Sequence, residues 1–306
     1  MKLPIYFITL ALCLMLLMSA TPFYAKITPS GFYIPEDVRE VTLRYRTFKN
    51  LILLPVVIND TIEVNLVLDT GCRNLVLFGK RFQKMFRMQP GQKVQFSGLG
   101  VGKPVLGGLS LKNKVSINEV LGESIPVVVV PDRNVFEATT RIDGVIGYDI
   151  FIKFEIELNP EEKLITFRPA LSAFLAEDYQ HIPIRIEDSR PILKSTISLN
   201  NDIFPCSLMI DTGSSLGLLL KTTDLHKYYY SEELIELGRG FNGVVNGFKT
   251  TIEYLELEGF SLASVSTGII HSPWDNHASI GMEVLKRYSI VLNYCKEYIG
   301  FKKLKA

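Results

Sequence analysis

Histidine and cysteine are scarce in this sequence, and tryptophan occurs once. His181, His226, His271 and His277 form no His-x-x-x-His array, and Cys13, Cys72, Cys206 and Cys295 form no Cys-x-x-Cys pair. Neither set has the spacing of a zinc or iron site, so no metal and no cofactor is expected. So few cysteines also argue against a disulfide-rich scaffold, although they leave room for one bridge. Charge of one sign is lacking too. The formal net charge is +1 and no dense Lys/Arg tract occurs, which argues against a nucleic-acid footprint. The glycines between Gly98 and Gly108 are not followed by Lys-Ser/Thr and lack a strand-to-helix frame, so they do not form a phosphate loop.

Hydrophobic residues make up 47 % of the chain, enough to exclude global disorder. A length of 306 residues accommodates two lobes of about 130 to 150 residues, each with its own core. The one long apolar run, Ile5 to Met18, is short for a bilayer span and suits the hydrophobic region of a signal peptide. Residues 1–25 therefore read as a signal peptide or, if uncut, as an N-terminal membrane anchor. Cleavage near Ser19-Ala20 or after Ala25 fits neither site cleanly, and Cys13 lies too early for lipidation. Export is expected, to the periplasm, to the medium or to a membrane face outside the cytoplasm.

What is present is a repeat. Leu66-Val67-Leu68-Asp69-Thr70-Gly71 returns as Leu208-Met209-Ile210-Asp211-Thr212-Gly213. The same offset aligns Asn59-Asp60 with Asn201-Asp202, and six of thirteen residues from 59 to 71 are identical to their counterparts. A second block, from Ile146-Gly147 to Phe167, repeats from Ile280-Gly281 to Phe301 with a slightly smaller offset. Two long blocks at nearly one spacing indicate a duplicated domain and not a short solenoid unit.

Short β-branched runs dominate both copies and read as strands. Val41 to Arg46 is expected to form an outer strand. Leu51 to Ile58 and Ile62 to Leu68 should pair around Asn59-Asp60. Lys80 to Met88 has the spacing of a short surface helix, and one helical turn is expected at Asp149 to Phe151. In the second copy, Thr223 to Leu237, with Tyr228, Tyr229 and Tyr230, reads as largely helical. Trp274 is expected to cap a core edge or to meet a substrate. Gly98, Gly100 and Gly102 mark one mobile hairpin, and Phe241 to Gly247 another, with Gly243 and Gly247 at its bend.

An aspartate ending a buried strand is costly if it stays alone and charged. Asp69 and Asp211, brought together across a pseudo-two-fold, relieve that cost by sharing one proton. Such a pair activates a water on its ionised member and polarises a carbonyl with its protonated member. Thr70 and Thr212 would brace the two turns, and Gly71 and Gly213 would let backbone N–H groups approach the carboxylates. The competing reading makes both triplets structural Asx turns, which leaves the duplication and the twin hairpins without a purpose.

The motifs Leu68-Asp69-Thr70-Gly71 and Ile210-Asp211-Thr212-Gly213-Ser214-Ser215, with Val145-Ile146-Gly147 and Ser279-Ile280-Gly281 behind them, resemble the aspartic peptidases of the pepsin and retropepsin superfamily. The resemblance covers roughly residues 40 to 303. It implies an all-β, bilobal fold with short helices and an internal duplication. The lobes would be residues 40–168 and 182–303, joined by a connector at 169–181. It implies Asp69 and Asp211 as catalytic residues, supporting turns at Thr70, Gly71, Thr212, Gly213 and Ser214, and a peptide or protein substrate bound extended. Catalysis would need one chain only. Cys72 departs from the pattern where Ser or Thr is usual, and retropepsins accept a small apolar residue there. No tyrosine lies between Met88 and Lys112, so the single flap tyrosine of pepsins has no counterpart. Glycine-bearing hairpins in both halves look more like a fused retropepsin dimer with two flaps. Residues 26 to 40 are short for an inhibitory propeptide. A module on the same fold that binds peptide without cutting it is the alternative.

Overall fold

The computed structural model describes residues 30–96, 98–100, 102–131, 136, 141–173, 176–200, 202–223, 233–272 and 278–304. Its strands form three sheets, of nine, six and eight strands. The nine-stranded sheet comes wholly from the first repeat and the eight-stranded sheet wholly from the second.

Each repeat begins with a hairpin. Leu51–Ile58 pairs with Ile62–Leu68 in the first, and Arg190–Leu199 with Asp202–Asp211 in the second. Asn59 and Asp60 both hold positive φ, 50° and 64°, as a two-residue turn of this hand requires. A short strand then inserts beside the second arm of each hairpin. Gly144–Ile146 runs parallel to Ile62–Leu68 and antiparallel to Leu75–Phe78. Ala278–Gly281 does the same between Asp202–Asp211 and Leu218–Thr222. Both strands are buried and apolar except for Ser279: Ile146 and Ile280 are fully buried, each contributing about 2 kcal/mol of transfer free energy.

The six-stranded sheet joins the repeats. Its order is Gln180–Pro183, Tyr298–Lys303, Tyr288–Asn293, Phe154–Asn159, Leu164–Pro169, Val41–Arg44. At its centre Phe154–Asn159 and Tyr288–Asn293, equivalent strands of the two repeats, pair antiparallel. Ile156 faces Leu292 and Leu158 faces Ile290, so the pseudo-two-fold axis passes between Glu157 and Val291. One main core runs through both lobes and this sheet, from Leu54 and Ile117 to Ile252 and Phe301. The result is the all-β, bilobal acid-protease architecture with short helices that the resemblance implies.

Several local expectations are corrected. The outer strand is Val41–Arg44, with Arg46–Phe48 pairing elsewhere, against Leu51–Ile58. Between Lys80 and Met88 only a 3-10 turn, Lys80–Lys84, forms; Met88 opens a strand, because Met88–Phe96 finds a partner in Val105–Ile117. Within the stretch read as helix, residues 224–232 lie outside the described residues. Ile235–Gly240 is a strand paired with Gly243–Leu257, so cross-strand pairing overrides the helical pattern at its end. The N-terminal leader and Trp274 also lie outside the described residues. Among the described residues no helix is long and apolar enough to cross a membrane.

Candidate active site

Asp69 follows the end of the strand Ile62–Leu68, and Asp211 is the last residue of Asp202–Asp211. The Asp69 N–H donates to the Ile146 carbonyl at 2.9 Å, and Asp211 is paired with Gly281. The inserted strands thus hold both aspartates from behind. Each insert leads through a glycine, Gly147 or Gly281, into one helical turn, Tyr148–Phe151 and Met282–Leu285. The Tyr148 N–H donates to the Cys72 carbonyl at 2.8 Å, and the Met282 N–H to the Ser214 carbonyl at 2.9 Å. A β-carbon at Gly147 would overlap that Cys72 carbonyl, so only glycine lets the helical turn close beneath the aspartate turn.

The two turns are locked to each other. The Thr70 N–H donates to Thr212 Oγ1 and the Thr212 N–H to Thr70 Oγ1, each at 3.0 Å. Each hydroxyl then donates across the interface, Thr70 to the Ile210 carbonyl at 2.6 Å and Thr212 to the Leu68 carbonyl at 2.7 Å. The threonines therefore brace the opposite lobe's turn, not only their own. Both are buried, where water cannot compete for these bonds.

Asp69 and Asp211 are each half-buried. The Gly71 N–H donates to Asp69 Oδ1 at 2.7 Å, and the Gly213 N–H to Asp211 Oδ1 at 3.0 Å. A β-carbon at Gly213 would collide with the Asp69 carboxylate, which places that carboxylate directly over the opposite turn. Desolvation raises the pKa of Asp69, and the nearby Asp211 charge raises it further; hydrogen bonds from Gly71 and Cys72 and the charge of Arg190 oppose the rise. Desolvation raises Asp211 as well, against the Gly213 hydrogen bond and the charges of Lys221 and Arg190. Two like charges in one partly desolvated site cannot both ionise cheaply, so the pair titrates as a unit.

Neither residue after the glycines completes the carboxylate network through its side chain. Cys72 is buried and its Sγ donates to the Asn74 carbonyl at 3.2 Å; burial first, then the Asp69 charge, drives its pKa up. Ser214 Oγ accepts the Leu216 N–H at 3.3 Å and so stabilises its own turn. All three described cysteines are free thiols. Of two further ionisable residues near the turns, Tyr294 has no signal in the repeat, whereas Asp149 falls on Glu283. Tyr294 lies buried beneath the turns, stacked on Phe151 at 5.2 Å with its hydroxyl 3.5 Å from the Thr70 carbonyl. Asp149 is half-buried with one oxygen unbonded, and desolvation raises its pKa to about 6. Tyr294 has Pro160 as its repeat partner, so no alignment of the halves could single it out.

The two glycine-bearing hairpins, one from each repeat, meet tip to tip. The Gly102 N–H donates to the Asn242 carbonyl at 2.6 Å, and the Asn242 N–H to the Leu99 carbonyl at 3.3 Å. The Gly98 N–H donates to Asn242 Oδ1 at 3.1 Å. At Gly102 a β-carbon would overlap the Asn242 carbonyl, and at Gly100, with φ 122°, it would press on the Asn242–Gly243 backbone. Phe241 crosses to the first lobe, with its ring 5.5 Å from Phe78 and 5.4 Å from Phe96. Gly243 is at the bend of the second hairpin, but Gly247 is not. It sits within Gly243–Leu257, opposite Ile235, where a side chain would strike the Ile269 carbonyl of the neighbouring strand. Among the described residues no cluster of His, Cys, Asp or Glu is arranged to hold a metal ion.

Fold and turns together define the class of two-lobed, paired-aspartate proteins. The aspartyl protease family model matches residues 54–150, and this stretch is similar to the retropepsin-like aspartyl proteases. The matched stretch contains Asp69 and Ile146-Gly147; Asp211 lies beyond it, in the second repeat. No curated protein matches the chain.

Proposed function

We propose that this protein is an aspartic endopeptidase whose catalytic residues are Asp69 and Asp211. The observation that carries the reading is the reciprocal threonine lock, which fixes two carboxylates of raised pKa over each other's turns. The family match supports a protease-type activity for the first lobe.

In this mechanism the pair holds one proton between its two members. The ionised carboxylate takes a proton from a water molecule, and the protonated one hydrogen-bonds to the scissile carbonyl. Water attacks the carbonyl carbon, giving a gem-diol. The pair then returns a proton to the leaving nitrogen as the C–N bond breaks, and a carboxylic acid and an amine depart. Gly71 and Gly213 N–H groups orient the carboxylates, and the hairpins exclude bulk water. In this reading the joined hairpins cover the aspartates and must part to admit a peptide, which breaks the Gly102–Asn242 and Asn242–Leu99 hydrogen bonds. Thr70, Thr212 and Ser214 support the turns without touching substrate. The apolar leader supports action outside the cytoplasm, with the N-terminal segment cleaved or retained as a tether; cell fractionation with an antibody tests that placement.

Cleavage of a diverse peptide library by the purified full-length protein, beside D69N and D211N, tests the activity. Cuts made by the parent and absent from both variants are the expected result. A folded parent that binds peptides and cuts none would instead identify a binding module on this fold.

A further inference from the structure

The two halves of the cleft are not equivalent at one position. The register Ile192↔Met209, continued to the strand ends, sets Arg190 opposite Asp211. In the first lobe, Leu53↔Val67 continues in the same way to Leu51 opposite Asp69. Directly opposed residues of an antiparallel pair share a face of the sheet. Arg190 therefore shares the face of Met209 and Asp211, and that face is turned toward the first lobe's turn. A β-carbon on Gly71 would stand 3.6 Å from Asp211 Oδ1 and 3.7 Å from the Met209 methyl.

Leu51 is buried in an apolar cluster with Val67, Cys72 and Val76. Arg190 is half-buried and makes no side-chain hydrogen bond or ion pair among the described residues. Its carrier is firmly placed. Arg185–Glu187 pairs with the start of Arg190–Leu199 across a two-residue turn, with Asp188 and Ser189 at φ 48° and 68°. An ion pair from Arg73, just past the Asp69 turn, to Asp188 fastens this turn to the first lobe. A guanidinium in such a place keeps its fork of N–H donors free for a planar acceptor. Its charge acts on Asp69, Asp211 and Cys72 alike, in agreement with a place at the centre of the cleft.

We propose that Arg190 makes the cleft selective for acidic peptides, by binding an Asp or Glu side chain of the substrate on the Asp211 side alone. The inference rests on the reading of the cleft as a peptide site. A carboxylate and the guanidinium fork form paired, charge-assisted hydrogen bonds. On the other side Leu51 offers no such partner, so the preference falls on one flank of the scissile bond. A carboxylate brought there also joins a site that already holds the shared charge of the aspartate pair, and Arg190 offsets that repulsion.

The test compares peptides that differ only by Glu or Gln at each position flanking the cut, with the parent and with Arg190→Leu and Arg190→Lys. The parent should favour Glu by about tenfold in kcat/KM at one position. Arg190→Leu should abolish or invert the ratio, and Arg190→Lys should keep part of it. Equal ratios in parent and Arg190→Leu, with only the pH profile displaced, would make Arg190 a tuner of the aspartate pair and overturn the proposal. The same peptides are also titrated against D69N by fluorescence anisotropy. If the parent cuts nothing yet D69N binds the Glu peptide more tightly, and the further change Arg190→Leu removes that difference, the peptidase reading fails and the acidic preference stands. Loss of any Glu preference in both assays overturns it.

Discussion

Thr70 and Thr212 each hold the other's backbone, N–H to Oγ1 at 3.0 Å in both directions, and each passes its own proton to a carbonyl one strand deeper. The geometry of the aspartate pair is thus a property of the interface between the lobes. Moving one lobe relative to the other would break four buried bonds before it altered either turn.

Removing one hydroxyl should therefore be costly. Thr70→Val leaves the Thr212 N–H and the Ile210 carbonyl unpaired, at about 1–3 kcal/mol for each buried orphan. Urea unfolding should show that loss, a comparable one for Thr212→Val, and a double variant less damaged than the sum. Thr70→Ser keeps the hydroxyl and should lie near the parent.

Stability should fall as the pH rises through the range of the aspartate pair. Desolvation raises both folded-state pKa values, and the Asp211 charge adds to the rise at Asp69. The folded state therefore binds protons that the unfolded state has released above about pH 4. The stabilisation is fully present below the unfolded value and is lost as the pH climbs through the folded ones. Asp149, raised by desolvation to about 6, acts with the same sign. D211N mimics the protonated form, so its unfolding free energy should vary less between about pH 4 and 8 than the parent's. A parent curve that rises over that interval would contradict the assignment of raised values.

Closure of the hairpins should be readable at single amides. The Gly102 and Asn242 N–H groups should exchange slowly with solvent deuterium, since each is donated across the tips. Gly102→Ala puts a methyl group into the Asn242 carbonyl and should speed exchange at both, while amides of the central sheet stay protected. Asn242→Ala removes only the bond from the Gly98 N–H and should have a smaller effect.

The thiols should differ sharply in reactivity. Cys72 is buried, with its pKa raised by burial and by Asp69, and it should resist alkylation until the protein unfolds. Cys206 is half-buried and raised by burial to about 11, whereas Cys295 is exposed. Mass spectrometry after iodoacetamide treatment should find Cys295 modified first.

Glu155 is buried beside the Tyr298 hydroxyl, Asn293 Nδ2 at 3.3 Å and the Arg168 guanidinium at 3.7 Å. Arg168→Met takes away its counter-charge and should destabilise by about 3 kcal/mol in chemical denaturation. Adding Glu155→Gln should recover part of that loss.

What the sequence revealed was whatever the duplication wrote twice. Asp69 and Asp211, their threonines, and Ile146-Gly147 with Ile280-Gly281 stood out because each strand–turn unit must meet the same neighbours in both lobes. Residues that serve the interface once had no such echo. Tyr294 aligns with Pro160 in the repeat, and Arg190 is set opposite Asp211 only when the register Ile192↔Met209 is continued to the strand ends, which no local pattern reports. Gly247 looked like part of a bend because glycines cluster there. Its real constraint is the Ile269 carbonyl of the adjoining strand, a contact made across the sheet. Met88 and Ile235 fall in stretches whose sequence pattern suggests helix, but each has a strand partner in space.

The pairing at the centre of the joining sheet says how separable the halves are. Glu157 lies at the axis facing Val291, and its carboxylate is held by Arg168 and by the Tyr179 hydroxyl. A first repeat on its own would present Phe154–Asn159 as a bare edge, and the copy best shaped to cover it would be another first repeat. That union would set Glu157 against Glu157, like charges in register, which sheets disfavour. Valine against valine carries no such penalty, so the obstacle lies on one side only. At this seam the first repeat needs the second, whereas the second could meet a copy of itself.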